Sequence, residues 1–247
     1  MTCGCRCAAA VLLAFAAEAP AIDDRAEAAR GEAPASQDGT TYKLTPTYYR
    51  TTSQPDAYDL NLRGNRDAHT FWVGYYRRHE EFQQLRLGYE NSLQIPFGRV
   101  VPSIQYASRG FLGGSVTAEI GERHFGLLGW GRTNLRDYYN LNFDPNDSVL
   151  VGAGTRALPR TTLSAFQIRD DRLGTGQRVT HFVMRAKPDE KTRWTVDVFH
   201  KRDAEDVRGT GASVTYDFGP HFARVASDPH VNFTRDHMVR VALGTRF

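Results

Sequence analysis

The chain has 247 residues, a formal net charge of +3 and 11% aromatic residues. Its mean hydropathy is −0.49, and outside the amino terminus it lacks an apolar run of the roughly eighteen residues that a membrane-spanning helix needs, which excludes a helical membrane protein. The charge is too small, and its basic residues too dispersed, for nucleic acid to be an expected partner.

Residues 1–21 are typical of a secretory signal peptide. Arg6 lies in a short basic region, an apolar stretch covers residues 8–17, and small residues at 19–21 form a cleavage pattern. The cysteines at positions 3, 5 and 7 all fall inside this segment. Their spacing lacks the paired form of a zinc site, so no metal is expected there.

Residues 22–40 are rich in Ala, Glu, Asp, Gly and Ser, and show no apolar alternation. This composition favours a flexible periplasmic lead-in, because little of the segment could be buried. A short helix over residues 23–32, placed at the periplasmic mouth as a plug, is the alternative.

Residues 41–247 form a succession of short segments in which apolar and polar residues alternate, separated by Gly, Pro, Asp and Asn. A period of two predicts strands with one apolar face, and the absence of a helical period favours an all-β up-and-down meander. The clearest apolar sets are Tyr58, Leu60 and Leu62; Phe71, Val73 and Tyr75; Leu85, Leu87 and Tyr89; Val100, Ile104 and Tyr106; Val116, Ala118 and Ile120; Trp194, Val196 and Val198; and Val214, Tyr216 and Phe218. A soluble β-sandwich would alternate too, but it should expose few aromatic residues.

The last strand carries the sharpest pattern. Val239, Val241, Leu243 and Phe247 share one face, while small or charged residues occupy the other. In this respect the chain resembles the outer-membrane β-barrel proteins of Gram-negative bacteria, whose final strand ends in a Phe that the insertion machinery reads. The resemblance implies an outer-membrane location, a transmembrane antiparallel barrel over residues 41–247, and Phe247 as the membrane-insertion signal.

The number of strands is harder to predict. About twelve strands fit the chain, with ten to fourteen open, and a barrel with both ends in the periplasm needs an even number. The stretches 133–147 and 220–236 are expected as the two longest loops. Fourteen strands would require residues 221–227 to form an additional strand.

Polar residues alternate with the apolar sets and are predicted to face the lumen. The lumen-facing candidates are Arg86, Glu90, Arg193, Asp197, Asp217 and Arg240. Two interpretations stay open. Arg193, Asp197, Asp217 and Arg240 could form a ladder of ion pairs that fills a narrow barrel, or they could line an aqueous pore and set its selectivity.

Catalytic and metal sites find little support. His200, Asp203 and Ser213 can be assembled into a triad, but such combinations arise by chance among many Ser, Asp and His residues, and no Gly-x-Ser-x-Gly elbow is present. The group His221, Asp228, His230, Asp236 and His237 has loose metal-ligand chemistry that a solvated loop explains equally well. No enzyme activity, cofactor or metal is therefore predicted.

The sequence favours a narrow channel, or an accessory component that carries a small solute or surface polymer across the outer membrane. Outer-membrane lipid and the barrel-assembly machinery are the other expected partners. In size, lead-in and strand count the chain also resembles the YaiO-like barrels linked to surface polymers, at the level of architecture only. Alternatives are a structural or adhesive barrel, with Tyr138, Tyr139, Leu141 and Phe143 in its longest loop, and a lipid-modifying enzyme.

Overall fold

The structure of the protein is a computed structural model that describes residues 39–79, 82–135 and 147–247. It is an all-β antiparallel sheet with one short 3-10 helix, Val231–Phe233. The strand segments are β1 Thr40–Thr51, β2 Ala57–Arg66, β3 His69–Arg78, β4 Phe82–Asn91, β5 Leu93–Ile95, β6 Gly98–Ala107, β7 Phe111–Ile120, β8 His124–Thr133, β9 Ser148–Leu158, β10 Thr161–Asp170, β11 Arg178–Ala186, β12 Thr192–Arg202, β13 Arg208–Phe218, β14 His221–Asp228 and β15 Met238–Arg246.

Each strand pairs with its neighbours along the chain, and β1 pairs with β15, so the sheet closes into a barrel. Segments β4 and β5 follow one another along β6 with a break at Ser92, and together they fill one position. The barrel therefore has fourteen strands. The predicted all-β barrel is confirmed, whereas the preferred count of twelve strands is wrong.

The count was wrong mainly because one strand was assigned to a loop. Residues 220–236, predicted to be one long loop, contain strand β14, His221–Asp228. In β14 the small and charged residues Ala223, Arg224 and Ala226 blur the apolar alternation. The fourteen-strand alternative had required a strand in this region.

The two ends of the barrel differ. The end that holds the start of β1 and the finish of β15 has short turns, and the opposite end has the longer connections, including residues 229–237 between β14 and β15. Short periplasmic turns and longer extracellular loops are the arrangement of outer-membrane barrels. We therefore call these ends periplasmic and extracellular. Residues 1–38, which include the predicted signal peptide and most of the lead-in, lie outside the described residues, as do Tyr138, Tyr139, Leu141 and Phe143 of the predicted longest loop.

Burial is reversed with respect to a soluble protein. Large apolar side chains such as Leu60, Phe182 and Leu243 are exposed on the outer surface, while Gln84, Arg86 and Lys201 are buried inside. An apolar exterior around a polar interior is the expected pattern of a barrel in lipid. Within the described ranges, no helix is long and apolar enough to cross a membrane.

Candidate pore and its constriction

The inner face of the barrel is lined by charged side chains from nearly every strand. Because side chains alternate along a strand, the residues in register with buried interior positions share the inner face. In the described strands the inward acidic residues are Asp59, Glu90, Glu119, Asp170, Asp197, Asp217 and Asp228. The inward basic residues are more numerous: Lys43, Arg63, Arg78, Arg86, Arg99, Arg156, Arg185, Arg193, Lys201, Arg224, Arg240 and Arg246.

Asp217 is the centre of one group near the periplasmic end. Its Oδ2 accepts a hydrogen bond from Arg193 Nε at 3.1 Å, and its Oδ1 accepts one from Arg246 Nη2 at 2.6 Å. Arg193 and Asp217 are direct cross-strand partners on β12 and β13. The carboxylate is thus held by two guanidinium groups, which leaves this group with an excess of positive charge.

Asp197 and Arg240, the other two members of the predicted ladder, are not neighbours. Asp197 lies 3.0 Å from His181 Nδ1, and that imidazole stacks on Phe166 with ring centroids 4.8 Å apart. Arg240 lies in the same cross-strand row as Asp197, with Ser213 and Ala226 between them. The structure therefore brings Arg193 and Asp217 together and separates Asp197 from Arg240 by two strands.

The remaining lumen-facing candidates lie on β4, on the opposite wall. Arg86 Nη2 contacts Asp59 Oδ1 at 2.5 Å, and both side chains are buried. Glu90 is 3% exposed on the same strand, closer to the periplasmic end. A third group joins Glu119 to Arg156 at 2.5 Å and to Arg99 at 3.5 Å. Ion pairs thus occur on several sides of the lumen.

The access of water to these charges changes along the barrel. Towards the periplasmic end the Arg193 side chain is 26% exposed, and the Arg156 side chain is 19% exposed. Near the extracellular end Lys201 and Asp228 have side-chain exposures of 0% and 1%. Space is therefore present beside Arg193 and Arg156 on the inner wall, and the space around Lys201 and Asp228 is filled.

The filling comes from residues 229–237, which connect β14 to β15 and which we call the inner loop. Val231 and Asn232 are buried, as is Phe233. Val231 packs with Tyr49 and Tyr76 of β1 and β3, whereas Phe233 packs with Val179 and Phe199 of β11 and β12. Since β13, β14 and β15 separate these two parts of the wall, the loop spans part of the extracellular mouth.

The base of the inner loop is fixed by a buried ion pair. Lys201 Nζ contacts Asp228 Oδ1 at 2.5 Å and the His230 carbonyl oxygen at 3.5 Å. The ammonium also lies 5.6 Å from the centre of the Phe233 ring. Charge, hydrogen bonding and a cation–π contact therefore tie β12 to both halves of the loop.

The other end of the inner loop is held by the β1–β2 turn. Asp236 accepts hydrogen bonds from Ser53 Oγ at 2.5 Å, Gln54 Nε2 at 3.2 Å and Thr52 Oγ1 at 3.3 Å. Inside the loop, Asn232 and Phe233 have positive φ angles of 58° and 57°. Asn tolerates such left-handed backbone, but it is strained for a bulky residue such as Phe233, so the anchors at both ends must stabilise it.

The alternative catalytic and metal groups are not assembled. His200 is exposed on the outer face, where it contacts Thr210, while Ser213 is buried on the inner face. His221 lies at the periplasmic end and the inner loop at the extracellular end. Among the described residues no group of three or more His, Cys, Asp or Glu side chains could hold a metal ion.

Comparison with solved structures agrees with the architecture. Acinetobacter baumannii outer membrane protein Omp33 is similar to this chain over 84% of its length and 98% of the Omp33 chain, with 10% identity and a TM-score of 0.54. The chain has the fold of outer-membrane β-barrels. Salmonella typhi OmpF matches 84% of this chain and 97% of its own, with 11% identity and a TM-score of 0.45. The KdgM porin matches 83% and 99%, with 7% identity and a TM-score of 0.47.

No protein-family model matches the chain, and no curated protein is similar to it in sequence. The similarity is therefore one of fold.

Sequence reasoning placed residues 229–236 in a loop, but it missed the packing of that loop inside the barrel and the Lys201–Asp228 pair. The available signal was the stretch Val231-Asn232-Phe233, whose two apolar residues interrupt an otherwise polar connection. Lys201 and Asp228 lie 27 residues apart, and only the pairing of β12, β13 and β14 brings them together. Without a correct count and register of strands, that contact could not be predicted.

Proposed function

We propose that this protein is a channel for small solutes in the outer membrane of a Gram-negative bacterium, and that the channel prefers anions. The apolar exterior and the direction of the loops support the membrane location. Outer-membrane lipid and the barrel-assembly machinery are its expected partners in that membrane, and a small solute or segment of surface polymer is what it would carry.

The observation that carries the proposal is the charged inner face beside open space. Side chains such as Arg193 and Arg156 face the lumen and are partly exposed within it. Side chains alone can fill the interior of an eight-stranded barrel, and fourteen strands enclose a wider lumen than eight. A filled barrel would be expected to bury all of these charges, whereas Arg193 and Arg156 keep exposed surface beside buried neighbours such as Asp217.

The preference for anions follows from the balance of charge. Basic residues outnumber acidic ones on the inner face of the described strands, and the carboxylates of Asp217 and Glu119 are each held by two arginines. Charged groups that line a pore concentrate ions of opposite sign and so set its selectivity. Small anionic solutes should therefore enter more readily than cations of the same size.

The inner loop supports a narrow pore. It packs Val231 and Phe233 against two separate parts of the wall near the extracellular mouth, so it reduces the area through which a solute can pass. A loop held by a buried ion pair and by Asp236 should remain in place during transport. The size limit is therefore expected to be set by this loop, and the sign of the preferred ion by the arginines below it.

Liposome swelling tests the proposal. Vesicles that contain the protein should swell in small anionic solutes and swell more slowly in neutral sugars of increasing size. Replacing Val231 and Phe233 by Ala should raise the size limit, whereas the control change Val214→Ala on the lipid-facing surface should not. Failure of correctly folded wild-type protein to increase permeability to any small solute would overturn the channel.

A further inference from the structure

The outer surface carries a row of four arginines. The row crosses four neighbouring strands, with Arg169 on β10, Arg178 on β11, Arg202 on β12 and Arg208 on β13. Each of these arginines is the direct cross-strand partner of the next. All four side chains are exposed at the extracellular ends of their strands. We call these residues the arginine row.

Such a row is unfavourable for folding by itself. Directly opposite side chains on antiparallel strands have Cβ atoms about 4.5–5.5 Å apart, and like charges in these positions are destabilising. Of the acidic groups close by, Asp171 in the β10–β11 connection binds Arg132, and the others are in the β12–β13 turn. Asp206 contacts Arg208 at 2.6 Å with both side chains well exposed, while Asp203 caps the backbone of the turn and Glu205 is exposed. None of the three bonds to Arg169, Arg178 or Arg202 among the described contacts.

The arginine row lies beyond the extracellular edge of the apolar, lipid-facing belt. Two residues further from the extracellular end comes a polar row, in which Gln167 bonds Thr180 at 3.0 Å and His200 bonds Thr210 at 3.0 Å. Two residues beyond that, the exposed apolar residues Phe182 and Val198 begin the lipid-facing belt. At about 3.3 Å per residue, the arginine row lies roughly 13 Å along the strands from that pair.

We propose that the arginine row binds the phosphate groups of an outer-leaflet lipid, with the acyl chains of that lipid lying against the belt that begins at Phe182 and Val198. A charged row at headgroup depth beside an apolar surface matches an amphipathic ligand with a phosphorylated head. Guanidinium groups bind phosphate through paired, charge-assisted hydrogen bonds, and an anion shared between neighbouring arginines offsets their mutual repulsion. The inference requires the outer-membrane location and is independent of channel activity.

The opposite wall supplies a matched control. Arg50 and Arg77 are also exposed on the outer surface near the extracellular end. The cross-strand partner of Arg50 is Val239, and those of Arg77 are Tyr58 and Gln83, all uncharged. These arginines share the depth and charge of the row without its clustering. A pair of changes there removes the same charge from the protein.

The proposal is tested by measuring the binding of diphosphorylated lipid A to the purified protein. Native mass spectrometry follows the binding in uncharged detergent and in the presence of a chelator. The double variant R178Q/R202Q should lose about tenfold or more in affinity, since it removes two charge-assisted contacts. The control R50Q/R77Q should bind like the wild type. Lipid A without its phosphates should bind all three proteins equally weakly.

Folding is checked separately, because the variant relieves repulsion. Without lipid, R178Q/R202Q should unfold at the same temperature as the wild type or at a higher one. Equal lipid affinity for the wild type and R178Q/R202Q would overturn the proposal. Loss of lipid binding on addition of the chelator would also overturn it, because it would indicate that a metal ion bridges the lipid to Asp206 or Glu205. Competition by inorganic phosphate at equal concentration would show that the arginine row binds free phosphate. Loss of self-association in R178Q/R202Q without loss of lipid binding would show that the row contacts a second copy of the chain. Either result would overturn the lipid site.

Discussion

Phe247 closes the barrel by pairing with Tyr42. The Phe247 amide donates to the Tyr42 carbonyl oxygen at 2.9 Å, and the Tyr42 amide donates to the Phe247 carbonyl oxygen at 2.7 Å. Their rings stack on the outer surface with centroids 5.8 Å apart. The residue expected from the sequence to act as the insertion signal is thus also the last bonded residue of the seam between β1 and β15. These two roles make different predictions.

Deleting Phe247 should reduce assembly in the outer membrane. The protein should still be exported, but it should accumulate in the periplasm because the assembly machinery no longer reads its final strand. The measurement is the amount of heat-modifiable protein in outer-membrane fractions. The control is refolding of the purified deletion variant into detergent, where no machinery is present. Normal levels of folded variant in the outer membrane would contradict a signal at this position, and failure in detergent as well would assign the defect to seam closure.

Arginine substitutions on neighbouring residues test the two faces of β12. Val196 faces outward and Thr195 inward, since their neighbours Val198 and Phe199 are exposed and buried respectively. Val196→Arg should lower the free energy of unfolding by about 2 to 4 kcal/mol in a bilayer, because the charge enters lipid near mid-strand. Thr195→Arg should cost much less, since it enters a polar lumen. Equal costs in lipid vesicles would mean that the inner and outer faces are assigned wrongly.

The Lys201–Asp228 pair should contribute strongly to stability. Lys201→Met leaves a buried carboxylate without its ammonium partner and should cost about 3 to 5 kcal/mol, whereas Lys201→Met combined with Asp228→Asn should cost less. The exposed pair Arg208–Asp206 is the control, and its loss should cost about 1 kcal/mol or less. Urea unfolding in detergent measures all four proteins. A single variant no less stable than the double would show that the pair does not hold the inner loop.

Acid should release one extracellular contact. Asp171, in the β10–β11 connection, forms two hydrogen bonds to Arg132 at 2.7 and 2.8 Å, and these bonds lower the pKa of Asp171. A lowered pKa means that the contact stabilises the fold above the ordinary pKa of aspartate and is lost as pH falls through the lowered value. The Arg132 guanidinium lies 4.4 Å from the centre of the Trp130 ring and should report the change.

Fluorescence of Trp130, in a variant that has Phe at positions 72 and 194, should therefore titrate with a midpoint below the ordinary aspartate pKa of about 3.9. Asp171→Asn should remove the transition. Far-ultraviolet circular dichroism over the same range checks that the barrel stays folded. A midpoint at or above the ordinary value would contradict the Asp171–Arg132 contact.

Alternation along single strands was sufficient to predict the barrel and the direction of many side chains. Tyr58, Phe71 and Leu243 are exposed because every second residue of a strand must face lipid, and that requirement is visible in sequence. The strand count was not predictable in the same way. Gly219-Pro220 marks a turn, but the only large apolar residues of the following strand, Phe222 and Val225, lie on opposite faces, so the sequence of β14 differs little from that of a loop.

Contacts between strands were predicted only where the residues are direct partners. Arg193 and Asp217 meet across one strand pair, so a correct register of neighbouring strands is sufficient to bring them together. Asp197 instead meets His181 on the other side of its strand, and Arg240 lies two strands further away than the ladder requires. Which of two neighbouring strands a side chain leans towards depends on the packing of rings such as Phe166, and alternation carries no information about that.

The reversal potential of the purified protein in a planar bilayer, measured across a tenfold gradient of potassium chloride, tests the central claim most directly. The account predicts discrete conductance steps and a reversal potential of the sign that marks chloride as the more permeant ion. Replacing Arg193 and Arg246 by Gln should move the potential towards zero, whereas R50Q/R77Q on the outer surface should leave it unchanged. Absence of conductance from folded protein, or a potential that marks potassium as the more permeant ion, would contradict an anion-preferring channel.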